Sequence, residues 1–205
     1  MAKLTFATLT LENFEKFKEY ILRGEEEFPE SIRSDENDYM EILTSPNPIA
    51  FVVFYDGIYI GNIVAHELLG EDLEICRNYI SPNKKALYVY NFLVERGYRN
   101  NGYGYAIFKE LIIRAKERGF EIIVAHCRKN EALHIFKKLG GIERKTFENW
   151  EDTKEDFILC EMDITKFSED NLSSSKNLIN NLNNIRKETL DVNFNSLENH
   201  TILKN

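Results

Sequence analysis

The chain has 205 residues, of which 43% are hydrophobic, and its formal net charge is −8. This length fits one domain with an appendage better than two full domains. The acidic balance argues against a nucleic-acid or anionic-membrane partner, because both require clustered Lys and Arg. The three cysteines form no CxxC pair, which indicates a reducing compartment and no structural metal site.

No targeting or membrane-spanning segment is predicted. The N-terminal stretch 1–14 is too polar for a signal peptide. The most apolar run, 49–55, is too short to cross a bilayer. We therefore expect a soluble, cytoplasmic protein.

Alternating strands and helices are predicted along the first 164 residues. Apolar patterns predict strands at 3–10, 49–55, 59–68, 87–94, 122–125, 142–150 and 156–164. Helical spacing predicts helices beginning at Phe14 and at 38–43, 103–118 and 130–139, whereas 71–83 is open between a short helix and an inserted loop. This order predicts an α+β fold, with a mixed sheet and helices on its faces.

The stretch from Leu87 to Gly104 carries the strongest functional signal. An apolar strand runs into Arg99-Asn100-Asn101-Gly102-Tyr103-Gly104, and a helix-compatible run follows at once. Free backbone N–H groups and the helix dipole at a helix N-terminus attract anions, and glycine lets the backbone approach a ligand closely. We therefore expect this turn to bind the pyrophosphate of a cofactor.

Other phosphate-binding loops fit this turn less well. A Walker A loop requires Gly-Lys-Ser/Thr, but Gly104-Tyr105-Ala106 stands there instead. A dinucleotide fingerprint requires a third glycine, which is missing. A purely structural turn is the alternative, and the strand before it and the helix after it favour the cofactor site.

The motif Arg99–Gly104 matches Q/R-x-x-G-x-G/A and resembles the cofactor motif of the GNAT superfamily of acetyl-CoA-dependent N-acetyltransferases. Downstream, the segment 130–141 is similar to the family's N-x-A…Y-x-K-x-G-F segment. In outline the resemblance covers 2–164, and it is specific over 87–142. It implies a mixed, mostly antiparallel central sheet, with acetyl-CoA as co-substrate.

The resemblance also implies which residues bind acetyl-CoA. The pantetheine arm would lie between the strand ending at Val94 and the strand 122–127, bonded to backbone groups of Phe92 and Val94. Backbone amides of 100–104 would bind the pyrophosphate, and Arg99 would add a charge. The predicted cofactor-binding residues are Phe92, Leu93, Val94, Arg99, Asn100, Asn101, Gly102, Tyr103, Gly104, Asn130 and Phe136.

Two positions depart from the family pattern. Phe136 stands where the family often has a tyrosine general acid, and Tyr88 stands near the place of a glutamate base. Our candidate catalytic residues are Glu67 and Tyr88. His66, His126, Cys127 and His134 are nearby residues for which an ordinary packed or exposed side chain is the simpler interpretation.

The function implied by the resemblance is acetyl transfer to a primary amine of a small molecule, peptide or protein, by direct attack in a ternary complex. The alternative is a non-catalytic acyl-CoA-binding or regulatory module that has lost the general acid. The acidic stretch 25–41 is either solvated surface or an electrostatic funnel for a cationic amine.

The C-terminal region differs from the rest of the chain. Residues 1–166 form the predicted acetyltransferase domain, and 167–205 form an asparagine-rich appendage that is predicted to be helical. The appendage has too little apolar surface to fold alone. It would dock on its own domain or on a second copy, so a homodimer is one of the expected assemblies.

Overall fold

The computed structural model describes residues 3–167, so the predicted appendage lies outside the described residues except for Phe167. A seven-stranded sheet forms the centre of this part of the chain. Its strands are β1 (Leu4–Thr8), β2 (Ile49–Tyr55), β3 (Ile58–Glu67), β4 (Ala86–Val94), β5 (Ile122–Arg128), β6 (Ile142–Phe147) and β7 (Phe157–Asp163). The helices are α1 (Phe14–Glu25), α2 (Glu36–Thr44), α3 (Gly70–Cys76), α4 (Tyr103–Glu117) and α5 (Glu131–Lys138).

The sheet has the order β1-β2-β3-β4-β5-β7-β6. Neighbouring strands are antiparallel except β4 and β5, which run parallel. Parallel strands need a long crossover, and α4 supplies it. The turn before α4 therefore lies at the C-terminal end of β4.

Helices cover both faces of the sheet. On one face, the apolar side of α4 packs into the main core through residues such as Ile107 and Leu111, and Phe136 of α5 joins them. On the other face, α1 and α2 bury Phe14 and Tyr39 against β2 and β3. This arrangement confirms the predicted α+β class with a mixed, mostly antiparallel sheet.

Strands β4 and β5 diverge halfway along their length. Their pairing runs from Ala86–Ile122 to Val89–Ala125 and then stops. At the same place, β3 pairs Val64 with Asn91 but Ala65 with Val89, so Tyr90 is the extra residue of a β-bulge. Bulges bend a strand and re-aim its side chains. The bulge and the end of pairing together open a V-shaped gap between the two strands.

The segment 71–83, for which the sequence did not distinguish a helix from a loop, contains most of the short helix α3. This helix packs Cys76 into a small cluster beside Tyr88. Strand β5 continues to Arg128, three residues beyond the predicted end. Within residues 3–167, no helix is long and apolar enough to cross a membrane.

Candidate active site

A cavity of about 510 Å³ lies in the gap between β4 and β5. Its lining passes from the turn before α4, along β4 and the end of β5, to the first turns of α5 and to Glu27 and Phe28 after α1. The cavity therefore connects the two faces of the sheet through the gap. One end adjoins two helix N-termini, and the other adjoins the segment between α1 and α2.

Two glycines shape the end of the cavity at α4. Gly102 caps the helix with φ of 82°, a conformation that glycine adopts without strain. A Cβ on Gly102 would meet no described atom within 4 Å, so the space above it is open. A Cβ on Gly104 would lie 2.7 Å from Cδ1 of Ile135 and 3.2 Å from Cζ of Phe92. Gly104 therefore permits close packing of α4 on its neighbours, and Gly102 permits the turn.

Most of the predicted cofactor residues meet in this cavity. Those that line it are Phe92, Leu93, Val94, Arg99, Asn100, Gly102, Gly104 and Asn130. Asn130 also caps α5, because its side-chain oxygen accepts a hydrogen bond from the backbone of Ala132 at 2.9 Å. The turn and the start of α5 thus face the same space.

Three predicted cofactor side chains are directed elsewhere. The amide of Asn101 folds back and donates to the carbonyl oxygen of Arg99 at 2.9 Å. The ring of Tyr103 packs against Tyr55 and Tyr98. Phe136 is fully buried in the core and packs edge-on against Phe108. Their cofactor roles stay predictions, and for Phe136 the simplest role is packing.

Arg99 is held at the cavity by two contacts. Its Nε donates to the carbonyl oxygen of Val94 at 2.8 Å. Its Nη2 lies 3.5 Å from the carboxylate of Glu27, which also binds Arg96 at 2.7 Å. These two guanidinium groups lower the pKa of Glu27. The turn before α4 is therefore tied to the segment that follows α1.

Tyr88 and His126 form a buried pair beside the gap. The hydroxyl oxygen of Tyr88 lies 2.8 Å from Nδ1 of His126. Burial lowers the pKa of His126 to about 4, so its ring is neutral near pH 7. Burial also raises the pKa of Tyr88 well above its ordinary value, so its hydroxyl keeps its proton. His126 lines the cavity, and its Nε2 finds no hydrogen-bond partner among residues 3–167.

Glu67, the other candidate catalytic residue, lies away from this pair. It pairs with Leu87 at the beginning of β4, whereas the cavity lies beyond Val89. Its carboxylate accepts a hydrogen bond from Asn47 at 2.6 Å and lies 3.9 Å from Nζ of Lys85. The structure does not bring Glu67 together with Tyr88 and His126, so its catalytic role stays a prediction.

Arg128 lines the cavity at the end of β5. Its Nε and Nη2 bind both carboxylate oxygens of Glu155 at 2.7 and 2.6 Å. Its Nη1 donates to the carbonyl oxygen of Glu27 at 2.9 Å. One side chain at the end of β5 thus joins the segment after α1 to the turn between β6 and β7.

Part of the acidic stretch is buried, which the sequence interpretation as surface or funnel did not anticipate. Glu25 is only 5% exposed. Its carboxylate accepts hydrogen bonds from the hydroxyl of Tyr39, from Asn91 at 2.7 Å and from the backbone N–H of Ser34 at 3.1 Å. Burial raises the pKa of Glu25 despite these donors. Glu25 therefore joins Ser34, in the segment between α1 and α2, to Asn91 of the bulged strand β4. Ser34 also contacts Tyr90 of the same strand at 2.5 Å.

Three site residues were not identified as such from the sequence: Arg128, Glu155 and Trp150. The indole of Trp150 stacks on the ring of His126, with centroids 4.3 Å apart. Arg128 comes from the end of β5, whereas Glu155 and Trp150 come from the turn between β6 and β7, and no motif links them. The one available signal was that Trp150 is the single tryptophan of the chain.

Comparison with known proteins identifies the family of the chain. The model of the GNAT acetyltransferase family matches residues 11–140, which is more than half of the chain. No curated protein matches the sequence of this chain.

Several solved structures share the fold. The ribosomal-protein-S18-alanine N-acetyltransferase of Escherichia coli is 17% identical, with a TM-score of 0.58 over 78% of this chain and 94% of that chain. NAA60 of Arabidopsis thaliana, solved with acetyl-CoA, is 16% identical, with a TM-score of 0.63 over 80% and 99%. The polyamine N acetyltransferase of Drosophila melanogaster is 12% identical, with a TM-score of 0.63 over 78% and 100%. Together with the family match and the cavity at the glycine turn, this shared fold leads to one conclusion: the chain belongs to the GNAT acetyltransferase family.

Proposed function

We propose that this protein is an N-acetyltransferase that transfers an acetyl group from acetyl-CoA to a primary amine by direct attack in a ternary complex. The observation that carries the proposal is the cavity between β4 and β5, which adjoins the capping glycine Gly102 at one end and opens to the opposite face of the sheet at the other. Two substrates entering from opposite ends would meet in the middle.

The backbone of β4 suits the cofactor end. Beyond Val89, the strand is no longer paired with β5, so an extended pantetheine arm would add to its edge near Phe92 and Val94. The N-termini of α4 and α5 both meet the cavity, and their dipoles favour a negatively charged group. Acetyl-CoA would supply the acyl group as a thioester.

His126 is the residue that we assign as general base. Its neutral ring has a lone pair to offer at pH 7, and it lines the cavity. Nδ1–H would donate to the oxygen of Tyr88, which orients the ring. Nε2 is buried and has no hydrogen-bond partner among residues 3–167, and it would accept the proton of the attacking amine through one water. Phe136 has no proton to donate, so the departing thiolate would be protonated by solvent.

The acceptor that we propose is a cationic amine, which is one of the two interpretations that the acidic stretch left open. Exposed carboxylates occur on both segments that Arg128 joins, at Glu26 and Glu30 on one side and at Glu151 and Asp152 on the other. These exposed carboxylates would attract a cation to the surface around these two segments. The polyamine acceptor named for the Drosophila relative is of the same chemical class.

A thiol-release assay with acetyl-CoA tests this proposal across polyamines, agmatine, amino acids, aminoglycosides and short peptides. The proposal expects saturable release of CoA with at least one amine, together with a product heavier by one acetyl group. Binding of acetyl-CoA without release across the panel would instead support a non-catalytic module. No binding at all would contradict both functions.

A further inference from the structure

Arg128 lies where three separate parts of the chain meet. It is the last residue of β5, beyond the point at which β4 has separated. Its guanidinium group is half-buried and all three of its nitrogens are bonded, one to Glu27 and two to Glu155. Bidentate charge-assisted bonds of this kind fix orientation as well as distance. Arg128 therefore holds both partners in one arrangement.

The contact with Glu155 continues to the proposed base. The carbonyl oxygen of Glu155 accepts a hydrogen bond from the backbone N–H of Trp150 at 3.0 Å. The indole of Trp150 stacks on His126 at an interplanar angle of 24°. The path from Arg128 to His126 thus runs through two residues of one tight turn.

The contact with Glu27 continues to the cofactor end. While the carbonyl oxygen of Glu27 accepts from Arg128, its carboxylate binds Arg96 and approaches Arg99 in the turn before α4. Glu27 thus links the two ends of the cavity, and Arg128 fixes its position.

We propose that Arg128 is a positioning residue of the acceptor site: it joins the segment 26–34 to the turn 148–156 and, through Glu155 and Trp150, holds the ring of His126 in place. This inference rests on the proposed function, because it treats His126 as the base. It assigns Arg128 no contact with the reacting atoms. Loss of its side chain would let the turn and Trp150 move away from His126.

Lys129 provides a matched control. It is the next residue, carries the same charge, and forms an ion pair with Asp156 of the same turn at 2.9 Å. Its ammonium group is more exposed than the guanidinium of Arg128, and it binds Asp156 rather than Glu27. Lys129→Gln therefore removes one charge and one ion pair near the turn but leaves the three-way junction intact.

Fluorescence of Trp150 reports the junction without any ligand, since it is the single tryptophan. Arg128→Gln is expected to shift the emission to longer wavelength and to speed hydrogen exchange in 26–34. Arg128→Lys should bring the emission wavelength and the exchange rate part of the way back to the wild-type values. Lys129→Gln should leave the emission wavelength and the exchange rate as in the wild type. If Arg128→Gln does not fold, Glu155→Gln is expected to change both signals in the same direction.

Kinetics with an amine from the panel that supports CoA release give the second readout. Arg128→Gln should raise the KM for that amine roughly tenfold and lower kcat, and the KM for acetyl-CoA should rise by less, because Glu27 also contacts Arg96 and Arg99. Wild-type emission and exchange in Arg128→Gln, or equal changes in Lys129→Gln, would overturn the inference. The fluorescence and exchange arms need no acetyl transfer, so failure of the proposed function would appear separately, as wild-type protein that releases no CoA.

Discussion

The hydroxyl oxygen of Tyr88 and Nδ1 of His126 lie 2.8 Å apart, across the parallel pair of strands that separates just beyond them. Tyr88 precedes the last paired residue of β4, and His126 follows the last paired residue of β5. The pair therefore sits at the point of the V. This is where an amine entering from one face would meet a thioester entering from the other.

The first prediction concerns this pair. His126→Gln is expected to lower kcat/KM for the acceptor by about 10²–10⁴-fold, the usual contribution of a general base. Tyr88→Phe removes only the hydroxyl and should cost roughly tenfold, because the ring loses one hydrogen bond that orients it. Steady-state CoA release measures both variants.

Glu67→Gln separates the two candidate bases in the same assay. With His126 as the base, this variant should keep near wild-type kcat. A loss of activity in Glu67→Gln that matches or exceeds the loss in His126→Gln would assign the base to Glu67 instead.

The second prediction concerns pH. The pKa of His126 is lowered from 6.5 to about 4 in the folded protein, so between these values the unfolded chain binds more protons than the folded one. Stability should therefore fall as pH drops from about 6.5 to 4, by up to roughly 3 kcal/mol from this residue. Urea unfolding of the wild type and of His126→Gln at several pH values isolates the effect. If the free energy of unfolding changed with pH in the same way for the two proteins, the predicted contribution of His126 would be excluded.

The third prediction compares the two ends of α4. Gly102 and Gly119 both have positive φ, and a Cβ on either would meet no described atom within 4 Å. Alanine at each position should cost about 1 kcal/mol of stability, because the backbone is strained for an L side chain. Only Gly102→Ala should also weaken CoA binding, by roughly tenfold or about 1.4 kcal/mol, since its methyl group would project into the proposed pyrophosphate site. Calorimetric titration with CoA and urea unfolding check both effects, and equal CoA affinity in the two variants would argue against that site.

The fourth prediction concerns the buried carboxylate. Glu25→Ala removes the acceptor of three hydrogen bonds in a buried place and should destabilise the fold by about 3 kcal/mol. The adjacent Glu26 is exposed, so Glu26→Ala should change stability by less than about 0.5 kcal/mol. Urea unfolding of both variants tests the contrast, and similar losses would mean that the network around Glu25 contributes little.

The elements that line the cavity around Gly102 were predictable because they are local in sequence. The strand at 87–94, the turn 99–104 and the following helix are adjacent, and each has its own pattern of apolar residues and glycines. Asn130 was singled out only by its match to the family's N-x-A segment, and the structure shows that it caps α5.

The contacts around Arg128 were not predictable, because they join distant segments. Arg128 meets Glu27, which is 101 residues away, through a backbone carbonyl that leaves no trace in residue type. Glu25 is one of three consecutive glutamates, and the sequence does not distinguish the buried member from its exposed neighbour Glu26. Such differences arise from tertiary packing alone.

A crystal structure of the protein with CoA tests the central claim most directly. The account predicts pantetheine extended along β4 beyond Val89, in the gap beside β5, with the pyrophosphate at the backbone amides of 100–104. It also predicts the thiol near His126. CoA bound outside this gap, or with its pyrophosphate away from the N-terminus of α4, would contradict the account.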